Sequence, residues 1–340
     1  MDSMVSRIFI IAEAGVNHNG DLKLAHELID AASSAGADAV KFQTFNTDLL
    51  AGKFSLRASY QKNTAGEGDQ ASLLRSLELK EEWYPEIVDH CSKSQIEFMS
   101  TPFHKEAADL LAPLIRRFKI GSGDLTDIPF LQHVASLGKP VILSTGMADM
   151  QEIRTAFSAL GEDKKVPLTL LHCTSQYPAP FASVNLNAMA TLRSEFKVPV
   201  GYSDHTAGIS VPIAAAAMGA TVIEKHFTID RNLPGPDHKA SLTPSSISAM
   251  IRSIREVEEA LGSSKKCPTS EEEEIKRVSR KSIVAATSLK AGSRITESML
   301  AIKRPGTGIS PGELSHVIGK KLNTSAEEDQ PLRWEMLDEE

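Results

Sequence analysis

Apolar positions along the first two-thirds of the chain repeat one unit. A short β-branched run is followed by a segment whose apolar residues stand three and four apart. The runs are Ile8–Ala12, Ala39–Thr44, Ile96–Ser100, Arg117–Ile120, Pro140–Ser144, Pro167–His172, Val198–Tyr202 and Thr221–Phe227. Their length and their Gly or polar borders predict buried strands. Leu22–Ser34 has apolar or small residues at 22, 25, 28, 29 and 32 and begins after Asp21, which predicts a capped amphipathic helix. Met150–Leu160, closed by Gly161, and Thr243–Leu261, closed by Gly262, read the same way. Eight such units over residues 1–262 predict a (β/α)8 TIM barrel. A doubly wound open sheet is the competitor. It usually carries a Gly-rich turn after its first strand, and no G-x-G-x-x-G spacing stands there.

Two stretches break the rhythm. Phe45–Gln95 is a long connection, with Ala71–Ser92 helical and Asn46–Gln70 polar and irregular, the kind of loop that serves as a lid or a binding segment. After Gly262, residues 263–280 are highly charged and contain Pro268, which predicts a linker with some helix. Residues 281–340 then form a small module of short β runs punctuated by Gly292, Gly306, Gly308, Gly312 and Gly319. So small a module is expected to lean on another surface for its core.

Bulk properties narrow the class of function. The 340 residues carry a formal charge of −7, which argues against nucleic acid as a partner. No apolar run is long enough to span a bilayer, and MDSMVSRIFIIAEAG reads as a buried strand rather than a signal peptide. Cys91, Cys173 and Cys267 are odd in number and far apart, so neither disulfides nor a structural zinc site is expected; a cytoplasmic location follows.

Candidate chemistry gathers at the carboxyl ends of the strands, where (β/α)8 enzymes keep their active sites. Val198–Phe227 reads as strand, helix over Gly208–Met218, strand, so His205 and His226 emerge on one side of the sheet. With Asp204 and Glu224 beside them they suit a divalent metal with open coordination positions; the alternative is a hydrogen-bonded pair at a sheet rim. Lys41 and Lys119 lie within strands, where an unpaired lysine is costly. With Gly121-Ser122-Gly123 and Ser144-Thr145-Gly146 they suit a phosphate or carboxylate. Either lysine could instead form a Schiff base, as in a class I aldolase, or pair with Glu13 or Asp124. An anion pocket beside a metal site fits C–C bond formation on a polarised carbonyl. A non-catalytic sugar-binding protein is the reading from another class.

At these residues the chain resembles the sialic acid synthase family, which condenses phosphoenolpyruvate with an N-acylated mannosamine-type sugar. The matching segments are IAEAGVNHNGD, DAVKFQTF, FMSTPF, FKIGSGD, LSTGM, LHCTSQYPAP, GYSDHTAGI, EKHFT, GPDHKASL and KRPGTGI, in order from Ile11 to Ile309. The last module resembles the antifreeze-like SAF (β-clip) domain of these synthases. The resemblance implies that His205 and His226 hold Mn2+, with Mg2+ or Co2+ as alternatives. It implies that Lys41, Thr101, Lys119, Ser122, Ser144 and Ser175 bind phosphoenolpyruvate. Gln43, Asn63, Tyr177 and Asp237 would contact the sugar and Arg304 its N-acyl group. Glu13, Asp124 and Glu224 would be the catalytic carboxylates. Asp124 stands where many members carry Glu, and Ser175 where some carry Asn. A domain-swapped homodimer is implied, each small module covering its partner's barrel mouth; Arg304 read alone is a solvated turn residue. The sugar would be N-acetylmannosamine or 2,4-diacetamido-2,4,6-trideoxymannose, giving N-acetylneuraminate or N,N'-diacetyllegionaminate. The segments KFQTF, HCTSQYPAP and GPDHKASL look somewhat more like the legionaminic branch.

Overall fold

In the computed structural model, residues 7–52, 70–161 and 166–338 are described, and the chain divides into two compact units, Met1–Gly262 and Ser263–Glu340. The first holds eight parallel strands: β1 (Phe9–Gly15), β2 (Ala39–Thr44), β3 (Glu97–Pro102), β4 (Phe118–Ile120), β5 (Val141–Ser144), β6 (Leu168–Cys173), β7 (Val200–Asp204) and β8 (Val222–His226). They are hydrogen-bonded in the order β3-β2-β1-β8-β7-β6-β5-β4, and β3 packs beside β4, so the sheet curls into a nearly closed barrel with helices outside. This is the (β/α)8 architecture that eight successive βα units predict.

Alternation within the strands sorts residues between two cores. Outward positions such as Ile10, Val40, Phe42, Phe118 and Leu143 pack against the helices. Inward positions Ile11, Ala39, Met99, Ile142, Leu171 and Val222 fill the barrel as a solid layer. Below that layer, at the amino-terminal end, Arg117 pairs with Glu97 at 2.9 Å and lies 4.4 Å from the ring of Phe9. Gly201 on β7 faces inward where nothing larger fits: a Cβ there would stand 2.3 Å from the Val222 carbonyl and 2.7 Å from Leu171.

The helices follow their signals. Leu22–Ser34 starts at Asp21, whose carboxylate accepts from the Lys23 amide. Pro244–Leu261 is capped by the Thr243 hydroxyl and buries Ile247, Met250, Ile251 and Ile254. Its Arg255 reaches the Asp38 carboxylate and the Ile8 carbonyl, tying the last helix to the first strand.

Three expectations change. Ala71–Ser92 is not one helix but Gln70–Ser76, a 3-10 turn at Glu81–Trp83 and Tyr84–Lys93. Pro85 lies in the first turn of the last piece, a position a proline tolerates, whereas inside a continuous helix it would remove a bond. Within the polar stretch after Phe45, one helical turn forms at Thr47–Leu50, capped by Asn46. The seventh strand begins two residues later than its apolar run and extends through Asp204.

The second unit opens with helix Ser270–Ser279, started by a capping box between Thr269 and Glu272. Antiparallel β9 (Ser282–Ala285) and β10 (Leu300–Lys303) follow. Isolated bridges tie in the remaining turns over a core that includes Ile283, Ile295, Val317, Leu322 and Leu332. The small module therefore has its own core.

Candidate active site

Every barrel strand delivers an inward residue to one cavity of about 380 Å3 at the carboxyl ends. They are Glu13 from β1, Lys41 and Gln43 from β2, Thr101 from β3, Lys119 from β4, Ser144 from β5, Cys173 from β6, Ser203 from β7, and Glu224 with His226 from β8. Loops add Ser122, Ser175, Tyr177, His205 and Asp237. Asp124 lies on the turn after β4, its carboxylate near Gly121.

Two lysines and two carboxylates form the floor. Lys41 contacts Glu13 at 2.7 Å, donates to the Thr101 hydroxyl at 2.9 Å and lies 3.8 Å from Glu224. Lys119 lies 3.3 Å from the other oxygen of Glu224, which also accepts from Ser203 at 2.9 Å. All four charged groups are almost fully buried. Burial opposes the charge on Glu224, but both lysines and the Ser203 hydroxyl hold it down to about 2. Glu13 goes the other way: burial, with the Glu224 charge adding to it, outweighs Lys41 and pushes it up to about 7. Burial also lowers Lys119, only partly offset by Glu224. Lys41 is held above its ordinary value because its two carboxylates outweigh its desolvation. The floor therefore carries positive charge with a protonatable acid beside it.

Hydroxyls and backbone line the wall next to Lys119. The Gly146 amide donates to Ser122 at 2.9 Å, and a Cβ on Gly146 would come within 2.3 Å of the Ser175 hydroxyl and 2.8 Å of that of Ser122. The buried Ser144 hydroxyl and Asp124 Oδ2 have no hydrogen-bond partner among the described residues. A phosphate or carboxylate would accept from the Ser144 hydroxyl, and from Asp124 only while that carboxyl holds its proton. Burial and the neighbouring Asp127 raise Asp124 to about 7.

On the opposite side the His205 and His226 rings stand 5.5 Å apart between centroids, with the Tyr177 ring 4.1 Å from that of His205 and tilted 42° to it. His205 Nδ1 donates to the Thr174 carbonyl at 2.8 Å, because a carbonyl can only accept; in the neutral ring this leaves the lone pair on Nε2. His226 is buried, its Nδ1 has no hydrogen-bond partner among the described residues, and burial holds it neutral well below the usual imidazole range. Burial opposes the charge on His205, but the Cys173 thiol, the Thr174 carbonyl and Glu224 raise it above its ordinary range, so a divalent ion held by these two inward imidazoles would have to displace its proton. Among the described residues no group of three or more His, Cys, Asp or Glu is placed to hold one, so most of its positions would fall to substrate and water. Burial raises the nearby Asp237 to about 6, against the pull of His205.

Several strand-end residues turn out to be structural. Asp204 is no partner of this pair: it faces out of the barrel and pairs with Lys225. His172 also faces out and donates to the Val184 carbonyl. Asn17 bridges Phe227 and Ser241, and His104 caps the helix Lys105–Leu111. Asn63 lies outside the described residues. Arg304 is exposed in the second unit, next to β10. Sequence reasoning missed Cys173 and Ser203, which the period-2 alternation of β6 and β7 would have turned inward. It also missed an apolar arc of Val16, Phe45, Leu73, Leu74 and Phe103 on the cavity wall.

Comparison with known proteins identifies relatives of both units. Residues 28–266 match the profile of the NeuB family and residues 280–338 that of the SAF domain. The N,N'-diacetyllegionaminic acid synthase of Legionella pneumophila is 49% identical over 336 residues, covering 97% of this chain and 94% of that protein. The synthase of the same name from Campylobacter jejuni is 46% identical over 334 residues, covering 97% and 100%. The solved N-acetylneuraminic acid (sialic acid) synthetase of Leptospira borgpetersenii, in complex with citrate, gives a TM-score of 0.71 at 38% identity, over 79% of this chain and 90% of that one. In the described residues no helix is long and apolar enough to cross a membrane.

Proposed function

Because the chain belongs to the NeuB family of enzymes that condense phosphoenolpyruvate with an amino sugar, we propose that its sugar is 2,4-diacetamido-2,4,6-trideoxymannose. The products are then N,N'-diacetyllegionaminate and phosphate. The observation that carries this choice is the full-length identity to two synthases named for that product. The apolar arc of Phe45, Leu73, Leu74 and Phe103 supports it, since it offers a methyl-bearing C6 a better surface than a hydroxymethyl.

In this reading Lys41 and Lys119 bind the phosphate and carboxylate of phosphoenolpyruvate, with Thr101, Ser122, Ser144 and Ser175 as hydrogen-bond donors. Glu224 stays ionised and keeps both ammonium groups in place. Glu13 and Asp124, both raised to about 7, hold or release protons as water adds at C2 and phosphate leaves by C–O cleavage. Gln43, Tyr177 and Asp237 orient the sugar so that C3 of phosphoenolpyruvate meets its aldehyde. His205 and His226 would hold a divalent cation, Mn2+ in our reading, which supplies Lewis acidity toward that aldehyde.

The test is phosphate release after chelation, with Mn2+ added back or withheld, against the trideoxy sugar and N-acetylmannosamine in parallel. Metal-dependent release with kcat/KM at least tenfold higher for the trideoxy sugar is expected. A preference for N-acetylmannosamine would overturn the sugar assignment, and full release in chelator the metal. The location in this reading is the cytoplasm. The working form is a domain-swapped homodimer in which Arg304 of one copy serves the N-acyl group in the other. A monomer with undiminished turnover in dilute solution would rule the dimer out.

A further inference from the structure

The residues just before the two imidazoles point the other way and meet each other. Asp204 and Lys225 are register partners at the ends of β7 and β8, and each is only 1% exposed. Their side chains form an ion pair on the outer face of the barrel, under the helices. Lys225 also donates to the Thr206 carbonyl. Asp204 accepts from the Thr206 amide at 3.0 Å, from the Thr206 hydroxyl at 3.1 Å and from the Tyr202 hydroxyl at 3.0 Å. The chain on both sides of His205 is thereby fastened to the residue next to His226.

We propose that the Asp204–Lys225 pair is a positioning device that sets the separation and aim of His205 and His226 for one divalent cation. It rests on the reading of the two imidazoles as ligands given above. The ladder between β7 and β8 ends at Asp204, so His205 stands on the first residue beyond it. Its ring is held on one side by the Thr174 carbonyl and its backbone carbonyl by the Ala179 amide, both toward β6; the ion pair supplies the tie toward β8 and His226. A buried ion pair is seldom more stabilising than apolar residues of similar volume, so stability alone does not account for placing one here. What charge and fixed hydrogen bonds add is direction. Four bonds converge on Asp204 and Lys225 from residues 202 and 206, and each restricts how the strand end can turn. Groups bonded directly to a ligand, as the Thr174 carbonyl is to His205, commonly change metal affinity by about 10–100-fold when lost; the ion pair acts one residue further back, through the strand ends.

The experiment measures Mn2+ binding to the chelator-treated full chain by electron paramagnetic resonance, beside thermal unfolding without metal. The reference variant is His226→Ala. The double variant Asp204→Leu/Lys225→Met removes the pair without leaving a lone buried charge, and Tyr202→Phe removes one bond from Asp204. Wild-type protein is expected to bind Mn2+ and His226→Ala to lose it. The double variant should unfold near the wild-type midpoint yet bind at least tenfold more weakly, and Tyr202→Phe about threefold more weakly. Mn2+ affinity within twofold of wild type in a folded double variant overturns the inference while leaving the ligand reading intact. If the double variant does not fold, unchanged affinity in Tyr202→Phe has the same force. If His226→Ala binds as wild type does, the ligand reading falls and this inference with it.

Discussion

Lys119→Met is expected to lower kcat/KM for phosphoenolpyruvate by about a thousandfold, equivalent to about 4 kcal/mol. The ammonium is almost fully buried, and its nearest charged partner is Glu224 at 3.3 Å, a carboxylate that also leans on Lys41. An anion arriving there replaces no bulk water around the lysine, because burial has already removed it. One charge-assisted bond lost contributes about 1.5–3 kcal/mol, and the charge of Glu224, now facing the incoming anion with one cation fewer, accounts for the rest. Steady-state kinetics with a folding check by circular dichroism reads this, most of the change appearing in KM. A loss smaller than tenfold would remove Lys119 from the anion site. Lys119→Arg separates the two chemistries open to a buried lysine: a guanidinium still binds an anion but forms no imine, so partial activity there speaks for anion binding.

Glu13→Gln is expected to flatten most of the pH dependence of anion binding that the wild type shows, Asp124 keeping the remainder. With Glu13 raised to about 7, an anion binds best when that carboxyl is neutral. Below about pH 6 affinity should be flat; above 7 it should fall, approaching tenfold per unit, because each bound anion then requires a proton to be taken up. Sulfate, whose charge is constant across this range, isolates the protein's proton when used as a competitor of phosphoenolpyruvate. A slope that survives undiminished in Glu13→Gln would assign the proton elsewhere. The same shift acts on stability with a defined sign. The unfolded chain loses this proton near 4.5 and the folded one near 7, so the wild type loses stability as pH rises between those values, and the variant should lose less.

Much of this was legible in the chain because strands and helices announce themselves by period. Ala39–Thr44 and Leu22–Ser34 fall where the pattern puts them, and the inward residues Glu13, Lys41, Lys119 and Glu224 meet because parallel strands share one carboxyl end. What the pattern hid were matters of one residue or of distance. The ladder runs on through Asp204, beyond the apolar run that marks the strand, and that turns Asp204 away from the cavity and Ser203 into it. His205 finds its tautomer from the Thr174 carbonyl, a contact no spacing displays. The break before Pro85 is a local rule missed; the apolar arc depends on Leu73 and Leu74 meeting Phe103 across tertiary space.

The packed layer of Ile11, Met99 and Leu171, with Glu97, Arg117 and Phe9 beneath it, has a consequence for traffic. Among the described residues the barrel is closed at its amino-terminal end and its well opens at the carboxyl ends. In the proposed reading an anion seated on the lysines at the bottom is covered by the sugar that follows, and phosphate and the new acid leave by the mouth through which the sugar came in. Depth in the well thus orders arrivals and departures.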